Sequence, residues 1–227
     1  MRKLLFSILV GLGGFAVLLW LGFWQMDRLE WKEGVLAGIN ARMAAGPVPL
    51  PDEVNEAQDE YRTVTVSGRP TGEELHVLVS GTQEGTGYRV VSSFETETGR
   101  RILLDQGLLP LEAKDTAPVR PEMEVTGTLL WPDDVNSSTP APNLDENIWF
   151  GRDVAPMAER LETERLLVVL SRASALDPRI EPLPVNTVNI ANDHLEYAIT
   201  WFLLAAVWLA MSLYWLRRNL RRGDPEA

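Results

Sequence analysis

The residues with the clearest chemical potential lie where the second apolar segment of the chain begins. Counting in sevens from His194 gives Trp201, Trp208 and Trp215. If a helix begins near Asp193, a seven-residue step drifts by only about 20° per heptad, so one stripe carries the histidine and three indoles. Such a stripe suits a flat, apolar macrocycle with imidazole as an axial metal ligand. It equally suits packing against another helix, which spacing alone favours.

The first apolar segment ends in residues that match this stripe. Trp20, Trp24 and Trp31 offer an aromatic face, and Gln25 and Arg28 lie beside it. Polar and ionisable side chains at the edge of a membrane segment often mark functional sites. Our candidate binding residues are His194, Trp201, Trp208, Trp24, Gln25 and Arg28.

Two uncharged runs, each long enough to span a bilayer, must position these residues. They comprise 23 and 20 residues, and at 1.5 Å per residue each reaches about 30 Å. The first is too long for the apolar core of a signal peptide, so we expect an uncleaved anchor. Its glycines Gly11, Gly13 and Gly14 are predicted to allow close helix packing.

Charge sets the expected topology. Arg2 and Lys3 precede the first run and four arginines follow the second, which predicts that both termini are cytoplasmic. We therefore expect a multi-pass protein of the bacterial inner membrane with a periplasmic central domain. The predicted divisions are a cytoplasmic N-terminus (1–3), a first transmembrane helix (4–26), a periplasmic domain (27–196), a second transmembrane helix (197–216) and a basic cytoplasmic tail (217–227).

Composition excludes several classes of protein. The formal net charge is −11, and residues 25–196 alone carry 15 basic against 30 acidic side chains, which argues against nucleic-acid binding. The absence of cysteine excludes disulfides and thiolate metal sites. Catalytic motifs of the familiar hydrolase and metalloprotease types are missing too, so we do not expect an enzyme. His76 lies in a predicted strand and is expected to be structural.

The central segment has the pattern of an antiparallel β domain. The first helix is predicted to continue to Ala45, followed by a connector at 47–59 and later by an irregular loop at 132–148. Strands are predicted at 61–67, 75–80, 88–94, 101–109, 122–131, 166–171 and 186–190, a hairpin turn at 81–87, and a helix at 153–161 with Asp153 as N-cap. The predicted fold class is an α+β membrane protein: two transmembrane helices flank a mainly antiparallel extracytoplasmic β domain, a small barrel or sandwich, with one or two short helices.

Three segments in order resemble the surfeit locus protein 1 family of cytochrome c oxidase assembly factors. Trp24-Gln25 with Arg28 and Lys32 resembles the family's G-x-W-Q-x-x-R…K motif. Trp149, Arg152-Asp153 and Met157-Ala158 resemble its W-x-x-R-D-x-x-x-M-A stretch. His194-Leu195, Tyr197 and Thr200-Trp201 resemble its H-L-x-Y-x-x-T-W motif. Two loops depart from the family pattern: Ser93 replaces a proline, and Asp105-Gln106 replaces Asn-Arg.

The resemblance implies a non-enzymatic role in the maturation of haem–copper oxidase. It implies that the protein binds haem A or hands it to the oxidase catalytic subunit, with His194 as an axial ligand of the haem iron. The partners implied by the resemblance are the catalytic subunit of cytochrome c oxidase and haem A synthase. Membrane lipid is a further expected partner, because of the two apolar runs. Two alternatives remain: a membrane-anchored scaffold without haem, and an unrelated periplasmic binding module.

Overall fold

The computed structural model describes residues 2–82, 85–188 and 190–222. The elements in chain order are α1 (Arg2–Ala44), β1 (Val48–Pro49), α2 (Glu56–Asp59), β2 (Thr63–Thr82), β3 (Gly85–Thr96), β4 (Arg101–Pro110), a 3₁₀ turn (Leu111–Ala113), β5 (Met123–Leu130), β6 (Ile148–Trp149), α3 (Val154–Leu161), β7 (Leu167–Ala173) and α4 (His194–Arg222). The chain forms two compact units. The helical unit comprises residues up to Gly38 and from Val188 onward, and the barrel domain comprises Ile39–Thr187.

The helical unit contains two helices that are long and apolar enough to cross a membrane. Their large apolar side chains face outward, as shown by Phe6, Met211 and Tyr214, which are 68%, 66% and 67% exposed. So much exposed apolar surface is unfavourable in water and supports anchoring of the protein in a membrane.

The barrel domain is a small sheet that closes on itself. β2, β3 and β4 pair as an antiparallel meander, β4 pairs with β7 in parallel, and β7 pairs antiparallel with β5. β5 then pairs with the first part of β2, from Thr63 to Gly68, which closes the barrel. Together with the two apolar terminal helices, this barrel confirms the predicted fold class.

Several barrel strands are buried on both faces. On β4, Leu104 joins one apolar cluster with Val64 and Phe94. Its neighbour Leu103 joins a second cluster with Trp149 of β6 and Met157 of α3. Successive side chains of a strand point to opposite faces, so α3 and Trp149 cover the side of the sheet opposite the first cluster. This two-sided burial explains the continuous apolar runs in β4 and β7.

The strand predictions were wrong in two places. The segments 61–67 and 75–80 belong to a single strand, because an irregularity between Thr71 and Glu74, with Gly72 at φ +68°, lets β2 continue through the expected turn. The described residues of 186–190 form no strand: the barrel closes without them, and the Thr187 hydroxyl instead donates to Asn40. Asn189, and Gln83 and Glu84 in the predicted hairpin turn, lie outside the described residues.

The short elements were predicted unevenly. The structure confirms the helix at 154–161 with Asp153 as its N-cap, whose carboxylate accepts a hydrogen bond from the Ala155 N–H. The predicted connector contains β1 and α2, and the predicted loop ends in β6, none of which sequence pattern indicated. Elements of two to four residues are too short for a periodic signal.

Candidate functional site

His194 and Gln25 meet across 169 positions of sequence. His194 is the first residue of α4, and its Nδ1 lies 2.8 Å from Oε1 of Gln25 on α1. Because an amide oxygen only accepts hydrogen bonds, this contact is a hydrogen bond when Nδ1 carries a hydrogen. The other ring nitrogen, Nε2, has no hydrogen-bond partner among the residues that the structure describes. A neutral His194 held in this way keeps the Nε2 lone pair available to a metal.

Glycines allow the two helices to approach below this contact. The ring of Phe202 occupies the place that a side chain at Gly22 would need, since a Cβ there would lie 2.5 Å from the ring. Phe202 also makes an edge contact with Phe23, with ring centroids 5.3 Å apart. Neither phenylalanine was a candidate from sequence, because an aromatic residue in an apolar run gives no signal of its own.

Trp208 joins the two helices deeper in the apolar segment. Its Nε1–H donates to the Gly11 carbonyl at 2.9 Å, and its indole lies over Gly14, where an added Cβ would be 2.5 Å away. The prediction of close packing is confirmed for Gly11 and Gly14. It is wrong for Gly13: apart from its own helix backbone and chain neighbours, no atom of the described residues lies within 4 Å of the position its Cβ would take.

Arg28 lies between two indoles on the outer part of α1. Its guanidinium carbon is 5.6 Å from the Trp24 ring centroid and 5.7 Å from that of Trp31, four residues before it and three after it. At these distances each ring face attracts the cation. No carboxylate among the described residues forms an ion pair with Arg28. This arrangement leaves a cation without a described ion-pair partner three residues after Gln25, the residue that contacts His194.

The remaining candidate of the stripe, Trp201, lies one heptad below His194. It is half-buried, whereas Trp208 is 39% exposed. The described residues contain no group of three His, Asp or Glu side chains that could together hold a metal ion. A metal at this site would therefore take a single imidazole from the described part of the chain.

The barrel domain contains a buried ionic cluster around Asp105. The fully buried carboxylate accepts from Arg89 Nε at 2.7 Å and from an Arg152 terminal nitrogen at 3.2 Å. Arg152 also pairs with Asp134, Nε to Oδ2, at 2.7 Å. Burial opposes the charge of Arg152, but the neighbouring Asp105 and Asp134 carboxylates outweigh it and raise the pKa of the guanidinium. The cluster ties the loop that follows β5 to the barrel wall.

His76 belongs to a second polar cluster in the barrel domain. It is buried, its Nε2 lies 3.2 Å from Oε1 of Glu74, and Glu74 also faces Arg179 at 3.3 Å. Burial raises the pKa of Glu74, but the hydrogen bond with His76 and the charge of Arg179 have the larger combined effect, and its pKa is lowered. His76 Nδ1 has no partner among the described residues.

Comparison with known proteins identifies the family. A sequence model of the SURF1 family matches residues 12–206. The chain belongs to the SURF1 family. It is 28% identical to surfeit locus protein 1 of Homo sapiens, over 90% of this chain and 74% of that one. SURF1-like proteins are 30% identical in Drosophila melanogaster (89% and 74% covered) and 29% identical in Rickettsia bellii (strain RML369-C) (92% and 90% covered). The SURF1 family is one of cytochrome c oxidase assembly factors, not of enzymes.

Two of the three SURF1-like motifs meet in the helical unit. The first supplies Gln25 and the third supplies His194, which are in contact. The second lies in the barrel domain, where its Arg152 binds Asp105 and its Met157 is buried. Ser93, Asp105 and Gln106, where the sequence departs from the motifs noted above, are buried in the barrel domain. The Gln106 amide donates to the Ser92 hydroxyl at 2.9 Å.

Proposed function

We propose that this SURF1 protein binds haem A through His194 and hands it to the catalytic subunit of cytochrome c oxidase during assembly. The observation that carries the proposal is the contact between His194 Nδ1 and Gln25 Oε1 at 2.8 Å. A hydrogen bond to the second ring nitrogen is the usual way in which proteins orient a metal-binding imidazole. We further propose that haem A synthase supplies the cargo.

The residues present suit such a cargo. His194 Nε2 would ligate the iron, and ligation by one imidazole favours a carrier that must later release its haem. Gln25 would hold the imidazole in the ligating tautomer. The indoles of Trp24 and Trp201 would provide apolar contact with the macrocycle, and Arg28, held between Trp24 and Trp31, would pair with a haem carboxylate.

We place this protein in the inner membrane of a bacterium, with both termini in the cytoplasm and the barrel domain in the periplasm. The basic residues beyond the two apolar helices support this topology. The domain divisions predicted from sequence belong to the same proposal. Surrounding lipid would then contact the exposed apolar side chains of both helices.

One observation favours a second candidate, a scaffold that organises the oxidase without carrying haem. Trp208 donates to Gly11 and packs on Gly14, so this member of the tryptophan stripe serves helix packing. If the whole stripe serves packing, the helical unit is an anchor and the barrel domain is the functional part.

The test is co-expression with the enzymes of haem A synthesis, followed by purification in detergent and an optical spectrum. We expect a haem A spectrum in the unaltered protein and its near loss in His194→Ala. Gln25→Leu, which keeps the size but removes the acceptor, is expected to weaken haem affinity about 10–100-fold. Gln25→Glu should retain binding, because its carboxylate also accepts from Nδ1–H. His76→Gln is the matched control and should leave the spectrum unchanged.

Each outcome separates the candidates. Equal haem in the unaltered protein and in His194→Ala would exclude His194 as the ligand. If no variant carries haem but deletion of the gene still lowers cytochrome c oxidase content, the scaffold is correct. Unchanged oxidase content in the deletion strain would contradict both candidates.

A further inference from the structure

An apolar pocket opens on the barrel domain, independent of the His194 contact. Its volume is about 520 Å³, within the usual range of roughly 300–1,000 Å³ for ligand pockets. The loop that follows β5 forms one wall and α3 forms another. Its apolar lining includes Val135, Pro140, Pro142, Leu144, Phe150 and Pro156.

Ionic and steric contacts hold the loop wall in place. Asp134, which precedes Val135, pairs with Arg152, and Arg152 is bound in turn to the buried Asp105. The loop after β5 and the segment after β6 lie so close together at Gly151 that an added Cβ would be 2.9 Å from Val135 Cγ2 and 3.0 Å from the Asp134 carbonyl. A pocket whose walls are fixed before binding loses less conformational entropy when it is filled.

Several apolar side chains that line the pocket are exposed to solvent. Leu144, Val135 and Phe150 are 62%, 40% and 37% exposed although all three line the same depression. Trp149 is part of the same lining, and its buried Nε1–H has no acceptor among the described residues. Clustered apolar exposure of this kind marks interaction sites.

The charges around the pocket select the chemistry of its occupant. The loop between β5 and β6 carries four acidic residues and no basic one. Arg160 is the basic residue of the pocket lining, and it pairs with Glu73 at 2.9 Å. On α3, Glu159 also lines the pocket, and no described residue pairs with its carboxylate. An occupant with cations beside an apolar core would match this rim.

We propose that this pocket docks an apolar segment of a partner protein that is flanked by lysine or arginine. The apolar side chains of the segment fill the depression, and its flanking cations face Glu159 and the acidic loop. The proposal is independent of haem binding, because none of these residues belongs to the helical unit.

The test uses the full chain in nanodiscs of zwitterionic lipid and a fluorescein-labelled hexapeptide. The peptide has two leucines, a proline and a phenylalanine between terminal lysines, and a second peptide replaces the lysines with glutamates. Fluorescence anisotropy with empty nanodiscs as background measures affinity. We expect the lysine peptide to bind the protein and the glutamate peptide to bind at least about tenfold more weakly.

Two variants locate the binding. Ala141→Trp places an indole inside the pocket and should lower the affinity for the lysine peptide at least about tenfold. Glu159→Lys should weaken it up to about fivefold and reduce its salt dependence, whereas Glu53→Lys, outside the pocket, should have no effect. If Ala141→Trp does not fold, the comparison of Glu159→Lys with Glu53→Lys decides whether the lysine peptide binds in the pocket.

Other results would overturn the proposal. These are equal binding of the two peptides, equal binding to Ala141→Trp when that variant unfolds at the normal temperature, and equal effects of Glu159→Lys and Glu53→Lys. If sedimentation shows that Ala141→Trp converts dimers to monomers, the occupant is a second copy and the proposal is wrong. Haem A binding by the same variants is measured separately, so failure of one proposal is distinguishable from failure of the other.

Discussion

Replacing Asp105 by asparagine should strongly destabilise the barrel domain. The substitution keeps the size of the side chain and an acceptor for the Gly107 N–H, which now bonds to Oδ1. It removes the negative charge that lies between the guanidiniums of Arg89 and Arg152. Breaking a buried ion pair by neutralising one partner costs about 3–5 kcal/mol, because the other charge stays buried.

The remaining contacts of the two arginines set the expected magnitude. Arg152 keeps its pair with Asp134, and Arg89 keeps its hydrogen bond to the Leu183 carbonyl. We therefore expect the lower end of that range, about 3 kcal/mol. For a domain of about 150 residues, 1 kcal/mol corresponds to roughly 2–4 °C, so the midpoint of thermal unfolding should fall by about 6–12 °C.

Differential scanning calorimetry of the purified protein in detergent measures this change. Asp134→Asn is the matched control, because it removes a carboxylate from the same Arg152 at a site that is 35% exposed. Solvent screens that pair, so its loss should cost about 1 kcal/mol or less. If Asp105→Asn shifts the midpoint no more than Asp134→Asn does, the buried cluster contributes no more than a surface pair and this reasoning is refuted.

Three further predictions concern packing, pH and backbone geometry. Gly14→Val should destabilise the helical unit by about 1–3 kcal/mol because its side chain meets an indole, while Gly13→Val should stay within about 0.5 kcal/mol; similar unfolding temperatures for the two would contradict the packing. The pKa of Glu74 in the folded protein is lowered from its usual value of 4.5. The ionised carboxylate therefore stabilises the fold at pH values above 4.5, and this contribution is lost as pH falls through the folded-state pKa. Unfolding free energies measured between about pH 5 and 3 should therefore vary less in Glu74→Gln, and an unchanged slope would count against the shift. Gly107→Ala should cost at least about 1–3 kcal/mol in chemical denaturation, since Gly107 has φ +123° and a Cβ would lie 2.1 Å from the Glu181 carbonyl; an unchanged denaturation midpoint would contradict this.

Features with a strong local signal were predictable from the sequence. The apolar runs, the N-cap at Asp153 and the alternating strands each depend on residues within a few positions of one another. The β2 prediction failed because Pro70 and Gly72 are typical of a turn, and only the pairing of Pro70 with Phe94 shows that the strand continues. Tertiary pairing decided that conflict.

The centre of the candidate site was predictable only as a set of residue types. Sequence placed Gln25 and His194 near the ends of two membrane segments, but nothing local indicated which nitrogen would face which oxygen. The ionic cluster at Asp105 had no sequence signal, because its partners Arg89 and Arg152 lie 16 and 47 positions away. Such contacts depend on how the barrel closes.

From sequence, the tryptophan stripe could serve either helix packing or ligand binding. The packing of Trp208 also helps to position His194. Trp208 and His194 are fourteen residues apart on α4, and Gly14 and Gln25 are eleven apart on α1, so each pair lies within about 40° of one face. The contacts between Trp208 and Gly14 and between His194 and Gln25 therefore form one seam between antiparallel helices. Packing of Trp208 in this seam fixes the rotation of α4, and that rotation turns His194 Nδ1 toward Gln25 and leaves Nε2 free of described partners.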